Sequence, residues 1–137
     1  MAQETVVTDR DRSRIGGFLV CDGSSAIGSA RSRFDLEVKL EEADAIPVEL
    51  TPRSLVTMNS TVALVDATTG ARRTVTLVYP DDRDLIRGSV GILQPLGQCL
   101  LGRSVGDIVK VSEGARLRRF FIVSVPYQPE AGGVTYL

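Results

Sequence analysis

The sequence predicts an α+β chain. An N-terminal antiparallel helical hairpin, a short coiled coil, precedes a bent, mostly antiparallel sheet of five or six strands around one short helix. Three observations predict it. Apolar residues recur at spacings of three and four through roughly the first 45 positions. After Pro47 and Pro52 the pattern changes to β-branched segments with a period of two, clearest in Arg73-Thr-Val-Thr-Leu-Val-Tyr79. Between two such segments, Gln94 to Asp107 reads as a helix opened by Pro95 and stopped by Gly102.

Residues 1–7 read as a loose tail. Thr8 is an N-cap, with Asp9 and Asp11 in the turn after it. Helix one is predicted over about 9–21, with Ile15, Phe18 and Leu19 on one face and weakened by Gly16-Gly17. Asp22-Gly23-Ser24-Ser25 is a turn. Helix two follows over about 25–45 and ends before Pro47. One stripe, Ile27, Ala30, Phe34 and Val38, is expected to face helix one; a second, Leu36, Leu40 and Ala43, the sheet. Residues 46–53 form a linker, which divides the chain into 1–52 (hairpin and linker) and 53–137 (the sheet domain).

Thr61–Val65 and Arg73–Tyr79 make a hairpin across a turn at 66–70. Pro80–Asp84 is a charged loop, and Leu85–Leu93 a weaker strand interrupted by Gly88 and Gly91. The short helix spans about 95–102. The strand Ile108–Val111 runs out of a turn at 103–107, and the last strand covers 116–125, with Leu117, Phe120, Phe121 and Val123 as core candidates. The remainder from Tyr127 is a tail.

Composition excludes more than it assigns. The chain has 137 residues, no histidine and two cysteines, Cys21 and Cys99. No histidine means no Ser-His-Asp triad, no imidazole base and no His-ligated zinc. The cysteines form no metal-binding pair and read as free thiols, Cys99 in the core. The N-terminus lacks the apolar stretch of a secretory signal, and no apolar run suits a membrane span, which implies a cytosolic chain. Charge is uneven: residues 1–52 carry six basic and ten acidic residues, and the rest ten and seven. An acidic arm on a basic head, or simply solvated helix faces, accommodates this split.

No catalytic constellation stands out, and no phosphate-loop motif occurs. Asp81, Asp82 and Asp84 read as a solvated loop or a cation site, and Asp22 as a turn residue or a metal-binding carboxylate. Arg116, Arg118 and Arg119 are available to an acidic partner or a phosphate backbone, or keep an edge strand from aggregating.

Val56-Thr-Met-Asn-Ser60, Leu77-Val-Tyr-Pro80 and Pro95-Leu-Gly97…Leu100-Leu-Gly102…Val105-Gly-Asp107 together resemble the C-terminal domain of the Gre transcript-cleavage factors. With the ending Tyr127-Gln-Pro-Glu130, they look most like the branch containing the regulators of nucleoside diphosphate kinase. The resemblance is good over about 54–130 and rests mainly on helical pattern before that. It implies an FKBP-like head on 53–137, a coiled-coil arm, and binding to bacterial RNA polymerase at the mouth of its secondary channel. The docking loop aligns with Leu93, Gln94, Pro95 and Leu96. Leu93 stands where cleavage-active members often carry an acidic residue.

The arm departs further. Cleavage factors have a much longer arm whose tip holds two acidic residues for Mg²⁺; here the arm is about 20–30 Å and its tip has Asp22 alone. The expectation is a polymerase-binding regulator without strong cleavage stimulation, competing with other secondary-channel factors and meeting nucleic acid only inside the polymerase complex. No enzyme activity, cofactor, membrane or small-molecule substrate is expected. The alternatives are regulation of nucleoside diphosphate kinase and, less favoured for want of aromatic residues, peptidyl-prolyl isomerisation.

Overall fold

The computed structural model describes residues 5–21, 30–80 and 88–131. In chain order these form β1 (Val6–Thr8), α1 (Asp9–Cys21), α2 (Ala30–Glu42), β2 (Asp44–Ile46), a 3-10 turn (Val48–Leu50), β3 (Thr61–Asp66), β4 (Arg72–Val78), β5 (Ser89–Gly91), α3 (Pro95–Leu100), β6 (Ile108–Glu113) and β7 (Arg116–Tyr127). It is a mixed α+β architecture with a curled sheet and few helices.

Five strands pair in the order β5-β4-β3-β7-β6. The β3–β4 hairpin is antiparallel, with Thr61 opposite Thr76 and their hydroxyls 3.0 Å apart. The β3–β7 and β6–β7 pairs are also antiparallel, whereas β5 joins β4 in parallel. α3 connects β5 to β6 and packs on β4, β5 and β6. Leu96 and Leu100 of α3 are buried with Leu64, Leu77, Val109, Phe120 and Ile122. The same apolar cluster continues into Val7, Ile15, Leu19, Leu36 and Leu40, so the helices and the sheet bury their side chains together.

Thr8 caps α1 as expected: its Oγ1 accepts the Asp11 N–H at 3.0 Å. The segment expected to be a loose tail, however, contains β1. It pairs in parallel with β2, Val6 opposite Asp44 and Thr8 opposite Ile46. That pairing turns the last residues expected for helix two, and the first of the linker, into a strand, and α2 stops at Glu42. The Val6 N–H also donates to the Gly102 carbonyl at 3.4 Å, tying β1 to the end of α3. Gly102 permits this approach. Its φ is +81°, and a Cβ there would lie 2.7 Å from the Thr5 methyl carbon.

Three burial expectations are corrected. Leu36 and Leu40 of α2, and Ala43 just after it, are buried, whereas Phe34 of the other stripe is 60% exposed. On β7, Phe120 and Ile122 are buried while Leu117, Phe121 and Val123 face outward. Successive strand residues point to opposite sides, so only one of two adjacent phenylalanines can enter the core. Cys99 is only partly buried, and its thiol donates to the Lys110 carbonyl at 3.3 Å.

Candidate functional site

The segment before α3 is set by backbone packing. Gln94 takes extended φ/ψ, and its side-chain Oε1 accepts the Gly91 N–H at 2.7 Å. That bond closes the turn between β5 and α3. Pro95 opens α3 at a position where no intrahelical N–H is needed. Gly97 lies against β5: a Cβ there would stand 2.1 Å from the Gly91 carbonyl oxygen. This close approach sinks Leu93 and Leu96 into the core. Of the four residues assigned to docking, Leu93 and Leu96 are therefore interior, Gln94 is half-buried, and Pro95 is exposed.

A second polar assembly joins α1 to the sheet. Asp11 is almost fully buried, and its Oδ2 accepts the Met58 N–H at 3.0 Å. Next to it, the Arg10 guanidinium pairs with Glu130 at 2.8 Å. The other Glu130 oxygen accepts the Thr57 hydroxyl at 2.7 Å, and Thr57 also meets the Ser60 hydroxyl at 2.8 Å. The Gln128 amide donates to the carbonyls of Pro52 and Leu55, each at 2.7 Å. Between Thr57 and Ser60 the chain turns through Asn59 in the left-handed region, φ 67°, a conformation that asparagine tolerates. The Thr57–Ser60 and Gln128–Glu130 segments thus meet α1 in one buried network. Sequence reasoning used these motifs for resemblance only. Polar residues flanking apolar ones in a loop do not by themselves disclose a partner more than 40 positions away.

Electrostatics mark the same place. Burial pushes the Asp11 carboxyl up to about 6; the Met58 hydrogen bond pulls the other way, and the Glu130 carboxylate adds to the upward push. Burial also holds the Tyr79 phenol well above its usual range. Its ring lies 6.4 Å from that of Phe18 on α1, centroid to centroid.

The three arginines of β7 do not act together. Arg118 pairs with Asp66 at 2.8 Å and covers the Phe120 ring at 5.2 Å. Its hydrogen bond holds the Asp66 carboxyl below the usual range. Arg119 lines a cleft between α2, α3 and β6, and Arg116 is exposed at the start of β7. Asp22, Asp81, Asp82 and Asp84 lie outside the described residues. Among the described residues, no three metal-ligating side chains gather. The Cys99 thiol meets a backbone carbonyl, and burial pushes it up.

Residues 51–127, more than half of the chain, match the family model described as transcription elongation factor, GreA/GreB, C-terminal. A GreA of Hyphomonas neptunium is 30% identical over 94 residues, 69% of this chain and 60% of that protein. The chain thus spans about 60% of the length of such GreA relatives. A regulator of nucleoside diphosphate kinase from Escherichia coli K12 is 30% identical over 129 residues, 93% of each chain. A solved GreA/GreB factor of Nitrosomonas europaea superposes with a TM-score of 0.75 at 33% identity, over 90% of this chain and all of that one. The matched segment holds α3, all five strands of the main sheet and the Thr57–Ser60 turn of the buried network, and the chain belongs to the GreA/GreB family.

Proposed function

We propose that this protein is a regulator of transcription elongation that binds bacterial RNA polymerase at the secondary channel. Residues 53–137 act as an FKBP-like docking head and 1–52 as a short helical-hairpin arm. It regulates without catalysing a reaction of its own. The observation that carries the reading is the combination of a family-type head with two helices of 13 residues each. At 1.5 Å per residue each is about 20 Å long. An arm of that length places its tip at the channel mouth, not at the active centre. Asp22 is the single carboxylate of the segment joining the helices, and one carboxylate is a poor clamp for Mg²⁺. The protein therefore occupies the channel entrance and competes with long-armed factors, with little stimulation of transcript cleavage.

Pro95 is the docking-loop residue that a partner reaches first, since Leu93 and Leu96 are held in the core. The test is displacement of a labelled long-armed Gre factor from core polymerase. The wild type is expected to compete. Pro95→Ala is expected to compete about tenfold less well, the loss typical of a modest anchor, with its melting temperature nearly unchanged. Absence of competition by the wild type at micromolar concentrations would refute secondary-channel docking. Correspondence over 93% of each chain with a regulator of nucleoside diphosphate kinase favours a second reading, control of that kinase. A kinase assay with and without the protein separates the two.

A further inference from the structure

The cleft between α2, α3 and β6 has a volume of about 1060 Å³. The chain contains two lysines, Lys39 and Lys110, and both line it, together with Arg103 and Arg119. These four cations come from separate elements. Lys39 reaches in from α2, Arg103 from the turn after α3, Lys110 from the edge strand β6, and Arg119 from its neighbour β7. Lys110 and Arg119 stand directly opposite in the β6–β7 register. The floor is held firmly. Lys39 Nζ donates to the Gln98 carbonyl, the Gln98 amide donates to the Ser32 carbonyl at 2.7 Å, and Arg103 Nη2 donates to Thr5 Oγ1 at 3.1 Å.

Two further observations mark the floor as a place where an anion would be favoured. Arg103 Nη1 is buried and has no hydrogen-bond partner among the described residues. Burial lowers the Lys39 ammonium to about 8; Arg103 adds to that push and the Cys99 thiol opposes it. Asp35 and Glu42 also line the cleft, but both are exposed, and Asp35 is engaged by Arg31 at 3.1 Å. Two like charges held beside each other, one with a buried donor left open, cost stability unless an anion joins them. An arginine fork next to an ammonium suits phosphate oxygens, and the volume is that of a drug-sized ligand site.

We propose that this cleft is a binding site for a phosphate-bearing small molecule, its phosphate held between Lys39 and Arg103 and its remainder lying towards Lys110 and Arg119. Pro95 also lines the cleft, so the test reads ligand binding without polymerase present.

Isothermal titration of the whole chain with inorganic diphosphate and with ADP tests it. Saturable binding is expected, weakened about tenfold or more in Arg103→Gln and about threefold in Lys110→Gln or Arg119→Gln. The last two are exposed, so their variants fold even where a floor substitution does not. Tighter binding of ADP than of diphosphate identifies a nucleotide ligand; equal binding identifies the phosphate group alone as the determinant. Both support the site. No response to either probe at about 10 mM overturns it, as does affinity unchanged in both surface variants. Binding of hexaglutamate peptide without any response to diphosphate also overturns it, and makes the cleft a seat for an acidic protein segment.

Discussion

Asp11 shows how much one residue carries. Its position in the first turn of α1 looks like routine helix-end chemistry, and the Thr8 cap agrees. Its carboxylate, however, reaches across to the Met58 N–H of the sheet portion. The ordinary carboxyl titrates near 3.8, and burial raises this one to about 6. Between those values the folded form binds more protons than the unfolded form. Stability therefore falls as pH rises from about 4 to about 6 and is level above that, with a total swing of about 3 kcal/mol at most. Asp11→Asn keeps an acceptor for Met58 and removes the titration. Denaturant unfolding between pH 4 and 7 should show the variant gaining on the wild type as pH rises. A constant difference would mean that Asp11 does not titrate in this window. No sequence pattern announces this property, because it arises from burial when α1 packs against residues distant in the chain.

At the level of elements, the strand and helix types were legible because each is a local property. Period-two β-branched residues marked β3 and β4, and the Pro95…Gly102 punctuation marked α3, within a residue or two of the observed ends. The three-residue strands β1 and β2 were not legible, whereas β5 lies inside the weaker strand expected over 85–93. β1 and β2 exist only because each finds the other and β1 also meets Gly102. Facing was ambiguous wherever both sides of an element carry apolar side chains. β7 is the clearest case, with Phe120 1% and Phe121 41% exposed. Phe120→Ala is expected to cost about 3–5 kcal/mol and Phe121→Ala under about 1 kcal/mol in equilibrium unfolding. Equal losses would mean that the outward face of β7 is covered in solution.

For the whole molecule, the consequential feature is the junction between α1 and the sheet. The Arg10–Glu130 pair and the Thr57–Glu130 bond are largely buried, so removing the shared carboxylate strands a guanidinium whose Nε and Nη1 have no hydrogen-bond partner among the described residues. Breaking such a pair from one side costs about 3–5 kcal/mol. Glu130→Ala should lower the melting temperature and speed amide exchange in α1 more than in β3. Uniform acceleration would show that α1 and the sheet unfold as one unit whatever holds the junction. In the proposed function the same junction sets where the arm points when the head is docked, so Glu130→Ala should also weaken competition for polymerase.

The sequence by itself determined the kinds of element, their order, the change from helical to strand pattern near Pro47–Pro52, and a family resemblance carried by short motifs. All of these are encoded by neighbours along the chain: turn residues, caps and periodicities of 2 and 3.6. Only the tertiary structure decided which stripe of α2 and which face of β7 are buried, that the N-terminal residues pair with Asp44–Ile46, and that Pro95 alone of residues 93–96 is exposed. It also gathered both lysines into one cleft with Arg103, and brought Asp11, Thr57 and Glu130 into one network. Those outcomes depend on residues far apart in sequence competing for the same space and the same hydrogen bonds, and that competition is settled only when the chain packs.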